Sequence, residues 1–153
     1  MTVVMAEERL AMCWDEAQPL LVKHWREIAT HQDIPLSINR AFYERAEADG
    51  KLCILTARRE GVLVGYAVFF IGPNQHYSTS LQALQDIFYV DPSVRGAMIG
   101  ARLIHEADRI LREKGVQVVF HHVKTRHPIL GALLARKGYT AVETIFSKRL
   151  DRG

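Results

Sequence analysis

The stretch LQALQDIFYVDPSVRGAMIGARLIHEADRILREKGVQVVFHHVK, residues 81–124, constrains the fold more than any other part of the chain. Residues 81–90 read as a strand, and Asp91-Pro92 stops it, because proline offers no ladder N–H. From Ile99 onward, Leu103, Ala107, Ile110 and Leu111 recur on one side of a helix that Gly115 ends. Asp108 and Arg112 form an i,i+4 pair on its surface. VQVVFHHVK, 116–124, is a further strand. A strand, a helix and a strand in one sheet require a crossover, so the two strands should run parallel or nearly so.

The rest of the chain fits around that unit. TVVMA, 2–6, reads as a short first strand. Trp14, Ala17, Leu21, Trp25 and Ile28 mark one face of a helix whose regular part starts near Pro19 or is kinked there. Ser37 is the expected cap of a second helix ended by Gly50. KLCILTAR, 51–58, and VLVGYAVFFI, 62–71, are strands around a turn at Arg59-Glu60-Gly61. The second is apolar on both faces and so should be central and fully covered. PILGALLARK, 128–137, is a helix and YTAVETIFSKRL, 139–150, a last strand. The expected order is β-α-α-β-β-β-α-β-α-β: one α/β domain over residues 1–153, with a mixed, mostly antiparallel sheet and helices on both faces.

A strand that passes through a glycine-containing turn into a helix makes an anion site. The first helical N–H groups lack internal partners, and the helix dipole adds roughly half a positive charge there. Gly96 and Gly100 allow close backbone approach, and Arg95 is suited to phosphate. The spacing is neither a P-loop nor a dinucleotide fingerprint. A plain turn with an exposed arginine is the other reading.

Composition narrows the classes. With 153 residues, 48% hydrophobic and 24% charged, the chain has the make-up of an ordinary globular domain. No apolar run approaches the roughly 18 residues of a membrane span, and the first residues lack a secretory pattern, so no membrane partner is expected and a cytoplasmic location is. A formal charge of +3 suits an anionic ligand and is too small to argue for nucleic acid. Cys13 and Cys53 have no metal or CxxC spacing and are expected as reduced thiols. His121 and His122, adjacent on a strand, face opposite ways and cannot chelate one ion, so no metal is expected.

FYVDPSVRGAMIGARLI resembles the acetyl-CoA-binding segment of the GNAT N-acetyltransferase superfamily, and HVKTRHPILGALLARKGYTAVETIFSKRL resembles its second conserved region. Short phage and bacterial members are the nearest in kind. The resemblance implies acetyl transfer from acetyl-CoA to an amine on a small molecule or protein. It places the coenzyme on Arg95, Gly96, Ala97, Met98, Ile99, Gly100 and Ala101, with Phe88 and Val90 on the preceding strand. Met98 stands at the middle glycine and is expected inside the first helical turn. His127 falls at the family's pantetheine-binding Asn, and Leu134, which has no proton to donate, at its usual acid Tyr.

Within that reaction Asp86 is the candidate base, expected on the same strand face as Phe88 and Val90. A backbone N–H near Phe88 or Val90 would hold the oxyanion. His122, Tyr77 and Tyr139 are the substitute acids considered, with His122 placed near the cofactor arm. The acceptor pocket is expected between the two N-terminal helices and the loops 31–37 and 72–80. A homodimer is left open. The rival reading is a GNAT-fold module that binds acyl-CoA or a partner protein without turnover, for which Leu134 and Met98 speak.

Overall fold

The computed structural model describes residues 2–96 and 98–152. Nine elements form the expected mixed sheet with helices on both faces: β1 (Val3–Glu7), α1 (Leu10–Ile28), α2 (Arg40–Ala48), β2 (Leu52–Arg59), β3 (Val62–Pro73), β4 (Leu81–Val90), α3 (Ile99–Glu113), β5 (Val118–Phe120) and α4 (Ile129–Arg136). The strands lie in sequence order, β1-β2-β3-β4-β5. The first four are antiparallel, and β5 joins β4 in parallel after the α3 crossover. A two-residue turn, Glu60 and Gly61 both at positive φ, closes the β2–β3 hairpin.

Two cores lie on opposite faces of the sheet. On one face Leu55, Ala67, Phe69 and Ala83 pack under Ile99, Leu103, Ala107 and Leu111 of α3. On the other, Ile54, Tyr66, Val68 and Tyr89 pack under Leu10, Cys13 and Leu20 of α1. Leu63 through Phe69 are all buried, as the two-sided apolar pattern of β3 requires. Cys13 and Cys53 sit in different cores, separated by the sheet.

Four details differ from expectation. α1 runs unbroken through an exposed Pro19, and its buried stripe is Leu10, Cys13, Leu20 and His24; Trp14, Ala17, Leu21, Trp25 and Ile28 are its half-buried flank. α2 is capped by Asn39, whose Oδ1 accepts from the Phe42 N–H, and not by Ser37. β5 is cut to three residues. Residues 140–149 form no strand; 140–148 are all exposed, held between Tyr139, which donates to Asp108 of α3, and Arg149, which bonds Asp33 between α1 and α2. The alternation of that segment is real, but a strand also needs a neighbour. No helix among the described residues is long and apolar enough to cross a membrane.

Candidate active site

The site grows from two irregularities in β4. In its ladder with β3, Val68 faces Ile87 and Phe69 faces Gln85, so Asp86 is an extra residue, a β-bulge. The side-chain alternation slips by one there. Leu81, Ala83, Phe88 and Val90 pack on the α3 side, whereas Ile87 and Tyr89 pack on the α1 side. Asp86 goes with the α1 side, where it meets α2. The expectation that it shares a face with Phe88 and Val90 is therefore corrected. The second irregularity is that β5 pairs with β4 only from Gln82 to Leu84. Beyond Leu84 the two strands part, and the β4 edge from Gln85 to Val90 has no β5 ladder.

α2 supplies the partner of Asp86. Its Glu47 reaches the start of α1, accepting from the Leu10 N–H at 2.7 Å and pairing with Arg9. Phe70 and Phe42 pack against the Tyr43 ring. So held, the Tyr43 hydroxyl donates to Asp86 Oδ2 at 2.6 Å. Burial raises the Asp86 carboxyl above the usual carboxylate range, and the Tyr43 bond opposes that rise. Burial, with the Asp86 charge beside it, pushes the Tyr43 phenol up as well. Asp86 is thus ionised late on the way up in pH, which makes it a stronger base once ionised.

On the α3 side, His121 is the histidine turned inward; His122 is exposed, beyond the end of β5. The His121 ring stands edge-on to Phe69, Phe88 and Tyr139. Its Nδ1 lies 2.8 Å from Gln85 Oε1. Burial, reinforced by His122, lowers its pKa to about 4, so the ring is neutral. With Nδ1–H donating to the Gln85 oxygen, Nε2 presents a lone pair, and this buried atom has no partner among the described residues. Both histidines were visible in the sequence, but alternation without a register does not say which one faces in. Tyr139 is spent on Asp108, Tyr77 is an exposed loop residue, and Leu134 is buried in α4.

The turn into α3 begins with a 3-10 turn at Pro92–Val94 and Gly96 at φ 91°. Met98 is the N-cap of α3, at φ 59° and ψ 20°, in the left-handed region. The expectation that it lies in the first helical turn is corrected: the helix begins at Ile99, one residue later. Met98 is 71% exposed, so no packing compensates its backbone strain. Ile99 and Ala101 turn their side chains into the core, leaving their N–H groups at the helix start for a ligand. A Cβ on Gly100 would lie 3.0 Å from the Leu133 side chain of α4 and at ordinary contact, 4.0 Å, from Phe88 and Val90, so a larger residue there would have to displace Leu133. Arg95 donates to the Val90 carbonyl at 2.8 Å and to Glu27 at 2.7 Å, which ties the loop to β4 and α1. His127 is exposed and Ala97 lies outside the described residues.

These features suit a thioester coenzyme: open helix amides for a diphosphate and a strand edge for an extended amide-bearing arm. Among the described residues no group of three or more His, Cys, Asp or Glu could hold a metal ion.

The last element of the site is a cavity of about 160 Å³ between α1 and the sheet. Cys13, Trp14 and Ala17 of α1, Leu36 and Ile38 of the following connection, and Ile87 of β4 are among its walls, as is Tyr43. The expected acceptor pocket between the N-terminal helices thus has a physical counterpart, while the loop 72–80 is not among its walls.

The fold recurs in known structures. The ribosomal-protein-alanine N-acetyltransferase from Brucella melitensis biovar Abortus 2308 superposes with a TM-score of 0.76 at 20% identity, over 98% of this chain and 100% of that one. An aminoglycoside acetyltransferase from an uncultured soil metagenomic sample gives 0.72 at 14% identity, over 96% and 94%. Glucosamine-6-phosphate N-acetyltransferase from Arabidopsis thaliana gives 0.72 at 13%, over 99% and 100%. No curated protein sequence matches the chain significantly. The profile of the acetyltransferase (GNAT) family matches residues 14–139, which span β4, the turn into α3 and the first part of the second conserved region, and the chain belongs to that family.

Proposed function

We propose that the protein moves the acetyl group of acetyl-CoA to an amine on a small molecule or protein, with Asp86 as the base. Acetyl-CoA-dependent transfer comes with the family; the residue roles, the acceptor and a cytoplasmic setting are this proposal. The observation that carries it is the Asp86 bulge, which puts a desolvated carboxylate beside the point where β4 and β5 part.

An alkylammonium acceptor has a pKa near 10.4, so freeing its lone pair at pH 7 costs about 4–5 kcal/mol. The Asp86 oxygen not engaged by Tyr43 takes that proton, directly or through one water. The amine then attacks the thioester carbon, and amides of the unladdered β4 edge near Phe88 and Val90 hold the oxyanion. The attacking nitrogen gives its second proton to water, and the C–S bond breaks. The leaving thiol has an ordinary pKa near 8.5, so the thiolate departs and is protonated by solvent without the acid that Leu134 lacks. His121, rather than His122, stands behind the β4 edge, its ring fixed by Gln85 and by the Phe88 edge contact. The α3 amides from Ile99 onward and the Arg95–Gly96 turn take the diphosphate.

A homodimer is the second part of the reading. Val142 (72% exposed), Ile145 (69%), Phe146 (92%) and Leu150 (86%) form an apolar run that one copy can cover on another. The deciding experiment is thiol release from acetyl-CoA with a panel of primary amines. Turnover supports the enzyme; tight coenzyme binding with no turnover on any amine favours the binding-module reading that the buried Leu134 suggests.

A further inference from the structure

We propose that the cavity beneath α1 is the acceptor subsite, and that it selects an amine carrying one compact apolar group: a single aromatic ring or a branched aliphatic chain two or three bonds from the nitrogen. This rests on the reading of Asp86 as the base and names the acceptor class for it.

Three observations carry the inference. First, position: Tyr43 and Ile87 are walls of the cavity, and both adjoin Asp86, one by its hydrogen bond and the other along β4, so the cavity ends one side chain from the base. Leu36 is the exposed residue among its walls, so we take the opening to lie on the side of residues 36–38.

Second, chemistry. No ionisable carboxylate or cationic side chain lines the cavity. Three polar wall groups are engaged elsewhere: the Tyr43 hydroxyl with Asp86, the Tyr66 hydroxyl with His24 at 3.3 Å, and the Thr56 hydroxyl with the Glu8 carboxylate and the Ala6 carbonyl. Burial lowers the His24 pKa to about 4, so that partner is neutral. A sugar hydroxyl or a second ammonium placed here would lose its water and find no partner. A hydrocarbon group loses nothing.

Third, size. A void of about 160 Å³ matches the apolar cavities of roughly 150 Å³ that stay dry and take up a benzene ring. A single ring or an isobutyl group fills it, and an aminoglycoside does not fit.

The test compares 2-phenylethylamine, isoamylamine, ethanolamine and a polycationic aminosugar as acceptors at saturating acetyl-CoA. Wild type should favour phenylethylamine over ethanolamine in kcat/KM by on the order of 10- to 100-fold, the worth of burying one such group. Ala17→Leu, which grows a side chain from α1 into the cavity, should collapse that ratio toward 1. Ile38→Phe narrows the mouth from outside the core and should do the same, which guards against a folding defect in the first variant. The same amines are titrated calorimetrically against the coenzyme A complex, where no turnover is needed. Phenylethylamine binding that both variants weaken supports the subsite even if no amine is acetylated, a result that would remove only the catalytic reading. Equal kcat/KM and equal affinity for phenylethylamine and ethanolamine in wild type, or a preference that survives both variants, overturns the proposal.

Discussion

Tyr43 and Asp86 lie 43 positions apart and share a 2.6 Å hydrogen bond that joins α2 to the bulge of β4. Helix position and base strength are thereby linked: the contact that seats α2 also holds down the pKa that burial pushes up.

That linkage sets the pH dependence. A carboxyl whose folded pKa is raised supports the fold most in its protonated form. Its contribution is fully present below the unfolded pKa and is lost as pH rises through the folded one. As a base Asp86 must be ionised, so kcat/KM should climb through that raised pKa. Tyr43→Phe removes the opposing bond, so the acid limb of the profile should move to higher pH. At pH 7 the variant should also lose about 1–3 kcal/mol of stability, the worth of a hydrogen bond to a buried carboxylate. Rate profiles and urea unfolding check both. An acid limb that stays in place means another group titrates.

Asp86→Asn keeps the shape and removes the proton acceptor. Turnover at pH 7 should fall about 10²- to 10⁴-fold, with coenzyme affinity retained. The deficit should shrink as pH approaches the amine's own pKa, because solvent then delivers free amine. A wild-type rate at pH 7 would make Asp86 a structural partner of Tyr43 alone.

Met98→Gly should stabilise the protein. The left-handed backbone costs a non-glycine residue about 1–2 kcal/mol, against roughly 0.5–1 kcal/mol for glycine's extra unfolded-state freedom, so a gain of about 0.5–1 kcal/mol is expected. Thermal unfolding measures it. Coenzyme affinity should hold or improve modestly, since the exposed Met98 side chain packs nothing.

Phe146→Glu tests the C-terminal run. If a second copy covers it, light scattering should show a dimer in wild type and a monomer in the variant. A monomeric wild type at every concentration would leave the run bare and the dimer excluded.

What the sequence made legible was whatever depends on local pattern. The strand–helix–strand unit, the covered β3, the Glu60-Gly61 turn and the helix start at Ile99 all follow from periodicity and punctuation. What it hid depends on partners. A bulge exists only relative to the opposite strand, so alternation alone put Asp86 on the wrong face and set His122 at the cofactor arm, where the structure turns His121 inward and leaves His122 exposed. The α1 stripe was misjudged because two tryptophans at its flank outweigh a buried Cys13 and His24 in any hydrophobic pattern. Residues 139–150 alternate like a strand, yet nothing local tells whether an edge is there to receive them.

The bulge gives β4 two reading frames. Before it, odd-numbered residues face α3; after it, even-numbered ones do. Substitutions along the strand are therefore read one at a time, and most can be absorbed. Loss of a single codon between 85 and 87 is a different kind of event. It would remove the extra residue and restore plain alternation, leaving Ile87, Phe88, Tyr89 and Val90 on the faces they already occupy and costing the strand its kink and its second side chain on the α1 side. The two cores would therefore tolerate the shorter strand, and what the extra residue adds is the carboxylate set against α2.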